Sequence, residues 1–173
     1  MNRYQWRPMT VEDLAYVMQI AAQVHAGYYE ALEVFAERLA LFPQGCRIAT
    51  CLYADGAEQI IGYAFLHPTR HGHPPALNRL LQAIDGAADC LHLHDVALLM
   101  SARGSGLGRL LVTDLRQIAR DARLVRATLV AVHDSAAYWR AAGFDDDGQL
   151  SPPGRQALAG YGDAARYMSM ALR

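Results

Sequence analysis

The strongest constraint in this chain is a glycine-rich run, Ala102-Arg103-Gly104-Ser105-Gly106-Leu107-Gly108-Arg109, caught between an apolar extended stretch and an amphipathic segment. Upstream, Cys90 to Met100 reads as a strand; downstream, Leu107, Leu110, Leu111, Leu115 and Ile118 recur at helical spacing, with Arg109, Arg116 and Arg120 largely on the other side. Glycines let the backbone turn without Cβ clashes and approach a ligand closely. The first amides of the following helix lack partners and carry part of its dipole. A strand-turn-helix junction of this kind offers a grip for phosphate.

Spacing separates the nucleotide-binding alternatives. A P-loop needs a lysine after its last glycine, and all 16 basic residues of this chain are arginine. Gly104, Gly106 and Gly108 followed by Arg109 also miss the third glycine position of the dinucleotide fingerprint. The 16 basic residues face 17 acidic ones, a net charge of −1, which is not the footprint of a nucleic-acid or membrane-surface protein. A length of 173 residues with 53% hydrophobic content predicts one domain with a core that needs neither disulfides nor a structural metal. Cys46, Cys51 and Cys90 are odd in number and sit in apolar stretches without a CxxC pair. They read as buried free thiols of a reducing compartment, and the absence of an export-like start or an apolar run of spanning length points to the cytoplasm.

Along the chain, a strand at Tyr4 to Arg7 precedes a capped helix with Leu14, Val17, Met18 and Ala21, then a second helical run from Tyr29 to Leu41 that Pro43 and Gly45 end. Cys46 to Tyr53 and Ile60 to His67 read as a hairpin around Asp55-Gly56. A long irregular stretch from Pro68 to Ala88 carries a short helix near Asn78 to Ile84. Leu124 to Val132 predicts a strand, Ser135 to Ala142 a brief helix closed by Gly143, and Tyr167 to Leu172 a last strand after a loop rich in Gly and Pro. The predicted order is strand, two helices, three strands, helix, strand, helix, strand.

Arg103, Gly106 and Gly108 fit the pattern R-x-x-G-x-G, and the run resembles the acetyl-CoA-binding signature of the GNAT-type N-acetyltransferases. A second stretch, His133-Asp134-Ser135-Ala136-Ala137-Tyr138-Trp139-Arg140-Ala141-Ala142-Gly143-Phe144, resembles that family's other motif, a short helix with an aromatic pair before Gly-Phe. The resemblance implies the single-domain α/β acyl-CoA N-acyltransferase fold, a mixed sheet of about six or seven strands flanked by about four helices and split between the fourth and fifth strands. It also implies coenzyme contacts. The diphosphate would lie on the amides of Arg103, Gly104, Ser105, Gly106, Leu107, Gly108 and Arg109. The pantetheine would pair with the strand edge at Val96, Ala97 and Leu98, and Ser135 and Trp139 would border the opposite side.

Acetyl transfer requires a neutral amine, and an alkylammonium with a pKa of about 10 must first lose a proton. Strand alternation puts His92 and His94 on one face, about 7 Å apart, just before the expected thioester position. The H-x-H pair resembles that of arylalkylamine N-acetyltransferases, which carries both over as candidate bases. The competing reading makes them polar residues held on a half-buried strand. A zinc site built on them with His71 and His73 lacks an obvious further ligand. Asp95 is expected on the other face unless a bulge turns it toward a histidine. The family's tyrosine acid falls on Trp139 here; Tyr138, one residue and about 100° away, is the candidate donor to the leaving thiolate, the alternatives being a core aromatic or water.

For the acceptor, family analogy draws attention to His25, Tyr28, Tyr29, Phe35 and the segment from His71 to Pro75. Small-molecule or peptide amines are the implied partners, and many members of the family pair into homodimers. The reading is an acetyl-CoA-dependent N-acetyltransferase acting by direct attack, without nucleic acid, membrane or metal. Its alternative is an acyl-CoA-binding module that has lost turnover, motivated by Trp139; an NAD-type oxidoreductase does not fit the glycine spacing.

Overall fold

The computed structural model describes residues 1–172. Its elements are β1 (Arg3–Pro8), α1 (Leu14–Val24), α2 (Leu32–Leu41), β2 (Cys46–Leu52), β3 (Glu58–Thr69), β4 (Cys90–Leu98), α3 (Leu107–Asp121), β5 (Arg126–Ala131), α4 (Ala136–Ala141), β6 (Asp145–Asp146), α5 (Pro152–Ala159) and β7 (Arg166–Ala171). They form one seven-stranded mixed sheet in the order β1-β2-β3-β4-β5-β7-β6. The predicted fold class holds.

Helices cover both faces. Leu111, Leu115 and Ile118 of α3 and Trp139 of α4 pack on Leu66, Leu91, Leu93, Ala127 and Leu129. On the opposite face, Leu14, Val17 and Ile20 of α1 and Phe35 and Leu39 of α2 pack on Ile48, Tyr63, Phe65 and Ala97. The turn Val11–Asp13 that leads into α1 carries a capping box between Thr10 and Asp13, and Asp13 also takes a two-pronged bond from Arg7 of β1 at 2.8 and 2.9 Å.

Among the described residues β4 and β5 are the one parallel pair, and their pairing runs only from Cys90↔Arg126 to Leu93↔Leu129. Beyond that point the strands part, and the β5-facing edge of β4 is left without a strand. Toward β3, the register of β4 shifts so that Phe65 faces Asp95 while Leu66 faces Leu93. His94 is the extra residue of this bulge, and consecutive side chains His94 and Asp95 both reach the α1–α2 layer, where they meet Glu30 and His25.

Two segments differ from expectation. The stretch from Asn78 to Ile84 is irregular, because Glu30 and Glu37 capture the amides that a helix would have used: Asn78 N donates to Glu30, and Leu81 N and Gln82 N donate to Glu37. The Gly- and Pro-rich region before β7, read as a loop, holds β6 and α5. Ser151 caps α5 by accepting from Gly154 N, with proline at the first helical positions, where the missing N–H costs nothing.

Candidate active site

At the start of α3, Gly106 takes a left-handed conformation (φ 84°) as the N-cap, and Gly104 (φ 76°) precedes it. The first intrahelical bond is Leu110 N to Gly106 O, so the amides from Gly106 to Arg109 belong to the unpaired turn; Leu107 N has only a long contact to Ser105 Oγ at 3.4 Å. A Cβ on Gly104 or Gly106 would point into open space. The turn is fixed from below by Trp6, whose Nε1 donates to Leu107 O at 2.9 Å.

From this turn a groove of about 770 Å³ runs between α3 and α4, bordered by Ser105, Gly106, Gly108, Arg109 and Tyr138. A second opening of about 170 Å³ occupies the parted strands, lined by Val96, Val130, Val132, His94, Asp95, His25, His133, Ser135, Tyr138 and Trp139. Tyr138 borders both. Its hydroxyl sits where a Cβ on Gly108 would be, and burial raises its pKa, so it stays protonated. Tyr138 is 52% exposed, whereas Trp139 is 8% exposed and packs edge-on against Phe144. Trp139 thus belongs to the core and to the wall of the second opening at once, and its neighbour Tyr138 is the more exposed of the two.

His92 is 1% exposed and bonds Thr128 Oγ1 through Nδ1 at 2.9 Å. Burial, with His67, His94 and Arg38 nearby, pushes its pKa well below the ordinary histidine range. A ring held neutral this firmly is a poor proton acceptor, which weighs against the expected base role. His94 lines the cleft, but its Nε2 is bonded to Glu30 Oε1 at 2.7 Å and its Nδ1 is buried without a partner among the described residues. With His67 these rings form a packed group, centroids 5.6 to 6.2 Å apart.

Two residues come forward instead. His25, just past α1, places Nε2 2.9 Å from Val96 O and 3.2 Å from Asp95 Oδ1, and Nδ1 3.1 Å from His133 Nε2. The His25 and His133 rings stack at 5.3 Å and 11°. Asp95 is steadied by Tyr63, whose hydroxyl donates to Oδ2 at 2.9 Å. Burial opposes a charge on His25, yet Asp95 and the Val96 carbonyl raise its pKa above the ordinary value; burial and His25 lower that of His133. In the sequence, His25 stands out only as an acceptor-side residue and His133 only as part of a motif. His25 lies in the α1–α2 connection and His133 in the β5–α4 connection, where no periodicity links them, so sequence alone does not pair them.

The sequence model of the Acetyltransferase (GNAT) family matches residues 14–144. The chain belongs to the GNAT family. No curated protein matches it. Among solved structures, it is similar to Ard1 from Thermoplasma volcanium (14% identity, 98% of each chain, TM-score 0.69). It is also similar to a chain of the NatC complex bound to Gag peptide and CoA (18%, 99% of each, 0.70). A third is the GNAT-like decarboxylase GphF in complex with isobutyryl-CoA (17%, 98% of this chain and 100% of that one, 0.71). At such identities the likeness speaks for the fold.

Of the acceptor residues expected from the GNAT resemblance, Tyr28 stands beside the cleft, its ring edge-on to His133 at 4.9 Å. Tyr29 is 64% exposed on a groove of about 180 Å³ that shares His25, Tyr28 and Glu30 with the cleft side. Phe35 is core, stacked on Phe65. His71 lies outside these openings: Nε2 bonds Asp147 Oδ2 at 2.7 Å, which also accepts from Ser169 Oγ at 2.6 Å, and so ties the long loop to β7.

Proposed function

We propose that this GNAT protein is an acetyl-CoA-dependent N-acetyltransferase in which a primary amine attacks the thioester directly. The observation that carries the reading is the place of Tyr138, which borders both the histidine-lined cleft and the groove beside the unpaired amides that open α3. The amides from Gly106 to Arg109, with Arg103 and Arg109 beside them, suit a diphosphate. The free edge of β4 from Val96 to Leu98, apart from the Val96 carbonyl already bonded to His25, suits an extended amide-bearing arm, with Ser135 and Trp139 across the cleft. An N–H on that edge is the natural donor to charge developing on the thioester oxygen. Tyr138 supplies the proton that the departing thiolate takes. The amine enters past Tyr28 and Tyr29, on the side opposite the coenzyme.

Thiol release from acetyl-CoA across alkyl, aromatic, amino-acid and peptide amines tests this. Release with at least one amine, with the product heavier by an acetyl group, is the expected result. Silence with every amine while calorimetry still records coenzyme binding would move the assignment to the acyl-CoA-binding alternative, which the burial of Trp139 favours. Absence of binding as well would end both.

A further inference from the structure

We propose that Asp95, His25 and His133 form a proton relay at the cleft, with His133 Nδ1 as the base that takes the acceptor's proton. This inference rests on the amine-acetylation reading. The bonding pattern sets its direction. Nε2 of His25 is near two groups that only accept, the Val96 carbonyl at 2.9 Å and the Asp95 carboxylate at 3.2 Å, so Nε2 carries a hydrogen in either charge state. In neutral His25, Nδ1 is then a lone pair, and the nitrogen 3.1 Å away, His133 Nε2, must be the N–H that fills it. That leaves Nδ1 of His133 as the basic end, without a hydrogen-bond partner among the described residues, on an exposed side chain that lines the cleft.

The proton balance follows. The acceptor ammonium gives one proton to His133 Nδ1; His133 passes the proton on Nε2 to His25 Nδ1; the amine is left with its lone pair. The positive charge finishes on His25, beside Asp95, while His133 is again neutral in its other tautomer. Stacked rings 5.3 Å apart do not favour two charges, so the pair takes one proton as a unit. The opposite pKa directions of the two rings agree with that destination. The other groups facing the pair are Tyr28 and Glu30 after α1, His94 on β4, Tyr161 after α5, and Asp134 beside His133.

Backbone strain supports the assignment. His133 (φ 54°) and Asp134 (φ 56°) are consecutive non-glycine residues in the left-handed region, a conformation that persists only where its surroundings hold it. The ring on that turn meets His25 Nδ1 at 3.1 Å. His94, whose Nε2 is held by Glu30 and whose Nδ1 is buried, serves as wall, and His25 and Asp95 act as positioning residues through His133.

The test is the pH dependence of kcat with an active amine. In the wild type, kcat rises with pH as the His25–His133 pair gives up its shared proton. His133→Gln is expected to lower kcat about 100-fold and abolish that acid limb while leaving KM for acetyl-CoA within about twofold. Asp95→Asn, which removes the charge that favours the imidazolium, moves the limb to lower pH. In parallel, NMR titration of ring-labelled histidines should show His25 and His133 sharing one proton uptake in the neutral range, with the His25 step displaced in Asp95→Asn. A wild-type kcat and pH profile in His133→Gln overturns the proposal, as do two rings titrating independently. If the wild type acetylates no amine, the base role falls with the functional reading, and the NMR titration alone decides whether the shared proton exists.

Discussion

Tyr138 and Trp139 show how much turns on one residue's phase. Neighbours on a helix diverge by about 100°, and α4 packs the indole into the core behind the cleft wall and leaves the phenol half exposed. Matching by motif alone sets Trp139 at the acid position; the choice between the two needs the starting point of α4, which follows the strained His133-Asp134 turn and is not encoded in the spacing. Tyr138→Phe should lower kcat about tenfold to 100-fold while coenzyme affinity measured by calorimetry stays within about twofold. Trp139→Ala should act on stability, costing about 3 to 5 kcal/mol by chemical denaturation through the cavity it leaves. An unchanged kcat in Tyr138→Phe would hand the protonation step to water.

At the scale of elements, the parts legible in the sequence were those whose local chemistry and tertiary use agree. The glycine turn, the amphipathic α3 and the hairpin of β2 and β3 all formed where periodicity and turn residues put them. The bulge in β4 was not legible, because alternation cannot reveal an extra residue; it surrounds His94 with Glu30 and brings Asp95 to His25. α5 carried a signal, Ser151 before two prolines, that the surrounding glycines masked. The geometry of α5 gives a prediction: a Cβ on Gly154 would run into the carbonyl of Gly72, which already accepts from Ser151 N and Oγ at 3.0 Å. Gly154→Ala should therefore loosen the long loop and cost about 1 to 3 kcal/mol in thermal or urea unfolding. At the coenzyme turn the expectation differs. Gly106 has open space, so Gly106→Val meets strain at φ 84° rather than a clash, and coenzyme affinity should fall at least about tenfold with a modest loss of stability.

For the whole molecule, the buried histidines link folding to pH. His67 and His92 lie on neighbouring strands in the interior, and burial, with His94 among their neighbours, depresses both, His67 to about 3 and His92 well below its usual value. The unfolded chain binds a proton at each ring below about pH 6.5, and the folded chain does not, so stability is full above that value and declines as pH falls toward 3. Each such ring contributes a slope of about 1.4 kcal/mol per pH unit across the window. His25, raised by Asp95 against the effect of burial, acts with the opposite sign at higher pH: its contribution is complete below the unfolded value and is lost as pH rises through the folded one, so it does not offset the acid loss. Asp13, held low chiefly by its bond to Arg7, adds a further loss only below about pH 4, where the unfolded carboxylate protonates. Urea midpoints measured from pH 7.5 to 4.5 should therefore fall steadily, with proton uptake on unfolding approaching two. His67→Gln, which cannot titrate, should flatten the slope by about one proton whatever its effect on absolute stability. A pH-independent midpoint over that range would mean that these rings are solvated or charged in the folded protein, and the neutral core on which the cleft wall is built would have to be redrawn.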